Sequence, residues 1–385
     1  MAVIRNEIEK HLEINGEMLV EQSGFTKNAR IEDNITILKY LIQDARKRKK
    51  ELVITGVDFA KAFDSIKREK ILETLKYYKI DPRVIDAVAN IYKDDRIELS
   101  LGKNLKEEII ATNGIRQGCT LSATLFKLIS YRIIKEINIW TKGYATENIV
   151  IRTLFFADDG LLVSDSVEQA TEDIRSLQAI TKQYGLELNK SKSSILVFNV
   201  KNKPDNIDGI NITQEMKYLG VTIQDTRDIF KKHKETKLKL AERLSNCAYS
   251  VINRCCNRIL IGKTYWKNIV VPALIYGSGA IDWTKAEQEK LQIKQNQVCR
   301  KIMNAPSWST NSGLRGEIGM STMEGRLMQS KIGYISNRLK AGNNLIKEIV
   351  EYLIADGPWK KYVEQQVEKL DTGRNTLLKY KKEYH

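Results

Sequence analysis

Three aspartates stand where apolar residues would be expected. Asp58 follows the run Val53-Ile-Thr-Gly-Val and opens Phe-Ala-Lys-Ala-Phe-Asp64. Further on, Asp158 and Asp159 interrupt Thr153-Leu-Phe-Phe-Ala-Asp-Asp-Gly-Leu-Leu-Val163. An ionised carboxylate removed from water without a partner is costly. Carboxylates converging from two strands therefore imply cations, and hard oxygen donors suit two Mg²⁺ ions, with Mn²⁺ able to substitute. Two such ions are the machinery of nucleotidyl transfer: one activates an attacking hydroxyl and the other stabilises the pyrophosphate leaving group. In that chemistry Asp58 and Asp158 are the natural bridging ligands, Asp159 is a helper, and the Phe59 carbonyl adds an oxygen. The alternative for Asp158-Asp159-Gly160 is a plain hairpin turn, which these residue types favour. The apolar flanks and the upstream Asp58 segment tip the balance toward a metal site.

The elements that must position these groups follow from periodicity. Helical spacing covers 3–14, 31–48, 67–78, 82–92, 121–140 and 168–184. Apolar or alternating runs predict strands at 51–58, 153–165 (strand, turn, strand), 194–200 and 216–223, and a hairpin from 96–101 and 107–112 joined by Gly102-Lys-Asn104. From about 227 to 352 the pattern is helical. This order predicts an α+β fold with an antiparallel sheet carrying helices on one face, close to the split βαβ plan.

Composition narrows the partners. With 385 residues, of which 42% are hydrophobic, more than one lobe is expected. The formal charge is +15, and residues 225–301 hold 16 Lys and Arg against 7 Asp and Glu. Such an excess points to a polyanion, although a Lys-rich solvated surface is the bland alternative. Cysteines at 119, 247, 255, 256 and 299 and histidines at 11, 233 and 385 lack zinc or disulfide spacing. That pattern argues for a reducing, intracellular setting, nuclear or cytoplasmic. No signal peptide is seen and no apolar run reaches membrane-spanning length, so no membrane partner is expected.

Several segments resemble, in order, the motifs of reverse transcriptases of non-LTR (LINE-like) retrotransposons. Asp58-Phe-Ala-Lys-Ala-Phe-Asp64 is similar to the first palm motif and Asn113-Gly-Ile-Arg-Gln-Gly-Cys-Thr-Leu-Ser-Ala-Thr-Leu-Phe126 to the next. Phe156-Ala-Asp-Asp159 resembles the catalytic hairpin, and Gly185-Leu-Glu-Leu-Asn-Lys-Ser-Lys192 and Tyr218-Leu-Gly220 the two that follow. Gln22-Ser-Gly-Phe25 resembles a fingers motif, and Val271-Pro-Ala-Leu-Ile-Tyr-Gly277 a post-palm stretch.

The resemblance implies a right-hand polymerase: partial fingers at 1–51, a palm at 52–224, a helical thumb or post-palm region at 225–340 and a charged tail at 341–385. It implies RNA-directed DNA polymerase activity that adds dNTPs to a DNA primer on an RNA template, with the RNA–DNA hybrid as partner. Phe63 would lie under the sugar and exclude a 2′-hydroxyl; without the motif it reads as a core aromatic. Gln117 would contact nucleotide or template, and Gly118 would let the backbone approach closely. Arg116 reads equally as a nucleotide contact or as a surface cation. Lys192 is the candidate to protonate or neutralise pyrophosphate. Asp64 would cap a helix or orient the loop rather than bind metal. Tyr218, Leu219 and Gly220 would start a primer-gripping hairpin. Lys231, Lys232, Lys234, Lys237 and Lys239 would contact phosphates, or line a solvated helix face.

Two departures stand out. Thr120-Leu-Ser-Ala123 replaces the usual Pro-Leu-Ser-Pro, losing a ring that pre-sets the turn. The fingers motif continues as Thr26-Lys-Asn-Ala-Arg30, and only 57 residues precede Asp58, with no strand pair for the triphosphate. Lys27 and Arg30 would be partial substitutes. No endonuclease or Cys/His knuckle is seen. The expectation is an N-terminally truncated polymerase core, with a separate fingers or endonuclease component left open. Its alternative is a weak or inactive remnant that still binds nucleic acid.

Overall fold

A computed structural model of the chain describes residues 1–93, 95–100, 106–254, 256–340, 344–355, 357, 359–360 and 363–364. The expected Gly102–Asn104 turn, and much of the 341–385 tail, lie outside the described residues. The chain divides into two units: 1–34 with 41–235, and 35–40 with 236 onward. The second begins inside a helix rather than at 225, and it takes in six residues from the middle of another.

In the first unit, helices α1 (Ala2–Ile14) and α2 (Ile31–Arg48) precede strand β1 (Leu52–Val57). Helices α3 (Ala62–Ser65), α4 (Arg68–Tyr77) and α5 (Pro82–Lys93) lead to the hairpin β2 (Arg96–Ser100) and β3 (Lys106–Ile110). The long α6 (Ser122–Trp140) follows, then a small pair, β4 (Tyr144–Ala145) and β5 (Val150–Ile151). Next come β6 (Thr153–Phe156), β7 (Asp159–Ser164), α7 (Val167–Gln183) and β8 (Ser194–Phe198). Two hairpins close the unit: β9 (Asn206–Ile207) with β10 (Ile210–Asn211), and β11 (Glu215–Tyr218) with β12 (Val221–Gln224). The short α3, β4–β5 and β9–β10 are too brief to show periodicity.

The central sheet has the order β6-β7-β1-β8, with every pairing antiparallel. Val53, Val57, Leu162, Ile195 and Val197 share one core with Ile129 and Ile133 of α6 and Ile174 and Leu177 of α7. The opposite face is covered too. Ile54, Leu161 and Leu196 are buried there, and a Cβ added to Gly56 would meet Met216 Sδ of β11 at 2.6 Å. Because β1 and β7 are each flanked on both sides, their ends are the least yielding places in the sheet to mount charged groups.

The second unit is helical: the body of α8 (Lys231–Arg254), α9 (Arg258–Tyr265) continuing through a π turn (Trp266–Val270) into α10 (Val271–Ile275), then α11 (Lys285–Met303), α12 (Asn311–Ile318), α13 (Met323–Lys340) and α14 (Asn344–Ala355). Trp266, Leu274, Leu291, Val298 and Met323 lie in its core. The buried Lys39 and Lys331 both pair with Asp282, which also accepts from Trp359 Nε1 at 3.2 Å. Burial alone would push the Asp282 carboxyl up, but the two lysines outweigh it and hold the carboxyl below its ordinary range. Among the described residues no helix is long and apolar enough to cross a membrane.

The end of α7 carries one backbone constraint. Gly185 has φ 87°. Its N–H donates to Lys182 and that of Leu186 to Thr181, the pairing that closes a helix through a left-handed residue. A Cβ there would lie 2.4 Å from the Ser65 carbonyl oxygen. Gly185→Ala is therefore expected to destabilise by about 2 kcal/mol or more, through conformation and clash together. Urea unfolding checks this, with Gly333→Ala as a control: no atom approaches its added Cβ within 4 Å, and it lies inside α13.

Candidate active site

The sheet register brings the three aspartates together. Val57 pairs with Gly160, so Asp58 and Asp159 are the next residues outward on adjacent strands. Phe156 pairs with Asp159, which leaves Ala157 and Asp158 as a two-residue turn. Asp58 and Asp158 are half-buried and Asp159 is the more open of the three. Partial burial, then the charges of Asp158 and of Asp58, push the Asp159 carboxyl above its ordinary value. All three influences act in the same direction, as burial and like charges both disfavour an ionised carboxylate.

The backbone of Asp58 is held from the 189–193 segment. Its N–H donates to Ser193 Oγ at 3.2 Å, and its carbonyl accepts from Asn189 N–H at 2.8 Å. Phe59 bridges Leu188, and Ala60 N–H donates to the Glu187 carbonyl. Lys192 rides on this same turn with its side chain exposed. The segment that supplies Lys192 thus also fixes Asp58.

The turn at Asp158 is held from the other side of the chain. Segment 21–24 lies parallel to β6, with Gln22 bridging Phe155. Phe155 N–H donates to Glu21 at 2.6 Å, and Ser23 N–H donates to Phe155 at 2.9 Å. The Gln22 amide oxygen accepts from Ala157 N–H at 2.9 Å and Gly24 N–H at 2.8 Å, and its Nε2 donates to the Ala157 carbonyl at 3.0 Å. A Cβ on Gly24 would lie 2.0 Å from Ala157 N. Asn34 accepts from Ser23 Oγ at 2.8 Å and donates to Phe155 O and to Tyr218 Oη. None of this was visible in the motif, which fixes which residues recur and not what they touch.

Phe63 is half-buried, stacked on Phe126 (centroids 4.4 Å apart, planes 14°) and met edge-on by Phe25 (6.3 Å, 89°). The 113–118 loop packs beside it: Ile115 N–H donates to the Phe63 carbonyl and Gly114 N–H to Ile66. Gln117 Nε2 donates to Asp64 Oδ1 at 2.9 Å, so Asp64 orients the loop from within α3. Gly118 has φ 80°, and no protein atom lies within 4 Å of an added Cβ. Its glycine is required by conformation rather than by crowding.

Several expected contact residues are engaged elsewhere. Arg116 is partly exposed but is not a plain surface cation. It pairs with the buried Asp95 at 2.7 Å, shares that acid with Arg68, and donates to the Ile91 carbonyl. Tyr218 is buried, with its hydroxyl bonded to Asn34 and donating to Leu154 O at 3.4 Å, so it does not face a primer. Burial raises its pKa strongly. Leu219 and Gly220, with φ 48° and 75°, form the tight β11–β12 turn instead. Lys234 is buried against Asp228 at 2.6 Å. Lys237 donates to the Ala273 carbonyl at 2.7 Å and lies over the Tyr276 ring, with burial lowering its pKa. Lys232 pairs with Glu215 at the surface, while Lys231 and Lys239 are exposed. Asp58, Asp158 and Asp159 remain as a group of carboxylates at neighbouring strand ends. Among the described residues no group of three or more His, Cys, Asp or Glu side chains is placed to hold a metal ion by itself; Mg²⁺ sites in phosphoryl-transfer enzymes take one or two carboxylates and complete their shell from substrate phosphates and water.

Residues 2–223 match the family described as reverse transcriptase (RNA-dependent DNA polymerase), and the chain belongs to that family. Among its relatives, the Pol polyprotein of the type-1 retrotransposable element R2 from Popillia japonica is 25% identical over 321 residues, covering 80% of this chain and 50% of that protein. The corresponding R2 protein of Nasonia vitripennis is 25% identical over 286 residues, covering 68% of this chain and 27% of its own. These names agree with the non-LTR resemblance of the motifs. The chain spans about a quarter to a half of the length of these relatives. Apo telomerase from Candida tropicalis superposes with a TM-score of 0.50 at 12% identity, covering 94% of this chain and 60% of that one, a likeness of fold alone.

The raised Asp159 pKa gives a test with a definite sign. An acid whose folded pKa exceeds its unfolded one favours folding below the carboxylate range and opposes it as pH rises through the folded value. Asp159→Asn should therefore raise the melting temperature at pH 7. The gain should shrink as pH falls through the carboxylate range. A variant less stable than wild type at pH 7 would contradict the repulsion read here.

Proposed function

We propose that this chain is an RNA-directed DNA polymerase of non-LTR type, adding deoxynucleotides to a DNA primer on an RNA template. The observation that carries the reading is the convergence of Asp58, Asp158 and Asp159 on adjacent strand ends. When bound, divalent cations supply activation of the primer hydroxyl and charge relief at pyrophosphate. Asp58 and Asp158 would hold them there, with the Phe59 carbonyl and Asp159 in support. Phe63, braced between Phe126 and Phe25, occupies the space a ribose 2′-hydroxyl would need. Gln117 and Gly118 present the nucleotide-facing side of their loop, and exposed Lys192 offers a proton or positive charge to pyrophosphate. Lys231 and Lys239 offer phosphate contacts of the sequence-independent kind, and a hybrid would be gripped through shape and backbone.

Primer extension on poly(rA)–oligo(dT) with dTTP and Mg²⁺ tests this directly. Asp158→Ala should lower the rate by about 10²-fold or more, with hybrid binding retained at low salt. Phe63→Ala should reduce preference for dTTP over its ribonucleotide by at least about tenfold. Absence of extension by the native chain, with salt-sensitive hybrid binding intact, would favour a binding module instead.

The two classes of lysine predict different outcomes. Lys231→Ala or Lys239→Ala should each reduce the salt slope of hybrid binding by about one unit. Lys234→Ala should leave the slope unchanged but lower stability, because it removes a buried side chain together with its ion pair to Asp228. A slope change in Lys234→Ala would place that side chain on the nucleic acid after all.

A further inference from the structure

We infer that Gln22 is a positioning residue for Asp158, setting the direction of the carboxylate through the backbone of the turn. The inference rests on the polymerase reading only in naming what Asp158 does. Ala157 adopts φ 58°, a left-handed conformation that alanine rarely takes. The turn has only two residues, Ala157 and Asp158, so strain at the first is passed directly to the second. A single planar amide addresses both polar groups of Ala157: Gln22 Oε1 accepts from its N–H and Nε2 donates to its carbonyl. That carbonyl belongs to the peptide plane that also carries the nitrogen and Cα of Asp158. Fixing the plane fixes the N–Cα axis of Asp158, and Asp159, paired with Phe156, anchors the residue from its other side. Gln22 is itself buried, and its oxygen is shared with Gly24 N–H. Gly24 lies so close that any side chain there would strike Ala157 N. The segment is thus shaped to the turn as well as bonded to it.

The consequence is kinetic. Small misplacements of a reacting group cost rate disproportionately, about 10²-fold for a shift near 1 Å. Loss of the Gln22 amide should then lower kcat while leaving nucleotide KM and hybrid affinity nearly unchanged, because neither depends on the turn's orientation. Two variants of the full chain separate this from a general loss of structure. Gln22→Met keeps the volume and removes all three hydrogen bonds. Gln22→Glu keeps an oxygen for the two N–H groups and turns the donor to the Ala157 carbonyl into a repelling carboxylate oxygen.

The experiment pairs hydrogen–deuterium exchange with primer extension on poly(rA)–oligo(dT). In Gln22→Met, exchange of the peptide spanning 154–160 should accelerate by about tenfold or more, with 52–57 unchanged. Its kcat should fall by about tenfold to a hundredfold, with KM for dTTP within about twofold. Gln22→Glu should retain most protection at Ala157 N–H yet still lose rate. Unchanged exchange at 154–160 overturns the inference. So does accelerated exchange across the whole sheet with loss of hybrid binding, which would make Gln22 an ordinary fold residue. If the wild-type chain extends no primer, the polymerase reading fails by itself, and the exchange comparison still decides the clamp.

Discussion

Three negative charges at the ends of two neighbouring strands repel one another, and the palm-like unit is organised around holding them in place. A flexible loop would relieve such repulsion by moving. Here relief is blocked on both sides. β1 is paired along its length with β7 and β8, and Asp58 beyond it is gripped at N–H and carbonyl by Ser193 and Asn189. The opposing turn is gripped at Ala157 by Gln22. Partial burial first, and then the charges of Asp158 and Asp58, raise the pKa of Asp159. Rigidity of this kind is what a site for cations needs, since electrostatic preorganisation works only if the groups do not relax away before the charge arrives.

Much of the fold could be read from pattern because its elements are long or strongly periodic. The helix at 31–48 lies where spacing put it, and the strand–turn–strand at 153–165 appears as β6 and β7. The carboxylates were legible because a charged residue inside an apolar run conflicts with its surroundings, and such a conflict is a local signal. What holds them was not legible. Gln22 and Ala157 are 135 residues apart, as are Asp58 and Ser193. Glutamine and serine are ordinary at any surface, so neither residue type announces that it is buried and bonded. The motif resemblance pointed to Gln22-Ser-Gly-Phe25, but as part of the fingers. The structure places that segment against the β6–β7 turn and, through Phe25, against Phe63.

Charge was the least legible quantity. A sequence count treats every lysine of 225–301 as equally available to a polyanion, yet the fold sorts them. Lys234 is turned inward on Asp228 and Lys237 on a backbone carbonyl. A long aliphatic stem lets lysine bury most of itself wherever one acceptor can satisfy its head. Helical periodicity cannot reveal that acceptor when it lies on another element, as the Ala273 carbonyl does. Net charge therefore bounds the electrostatic attraction without locating it.

The stretch Arg116-Gln117-Gly118 shows how adjacent residues of one motif come to opposite uses. Arg116 turns toward Asp95, an acid that also binds Arg68 and is nearly removed from water. Arg68 and Arg116 each take one oxygen of that buried carboxylate, and charge-assisted bonds of this kind hold the arginine on the acid. Gln117 is oriented the other way, onto Asp64 beside Phe63. The positive φ of Gly118 then redirects the chain toward α6. The buried ion pair fixes the base of the loop, and it is this fixed base that lets a neutral amide, which forms no strong ion pair of its own, be held at the edge of the aromatic stack.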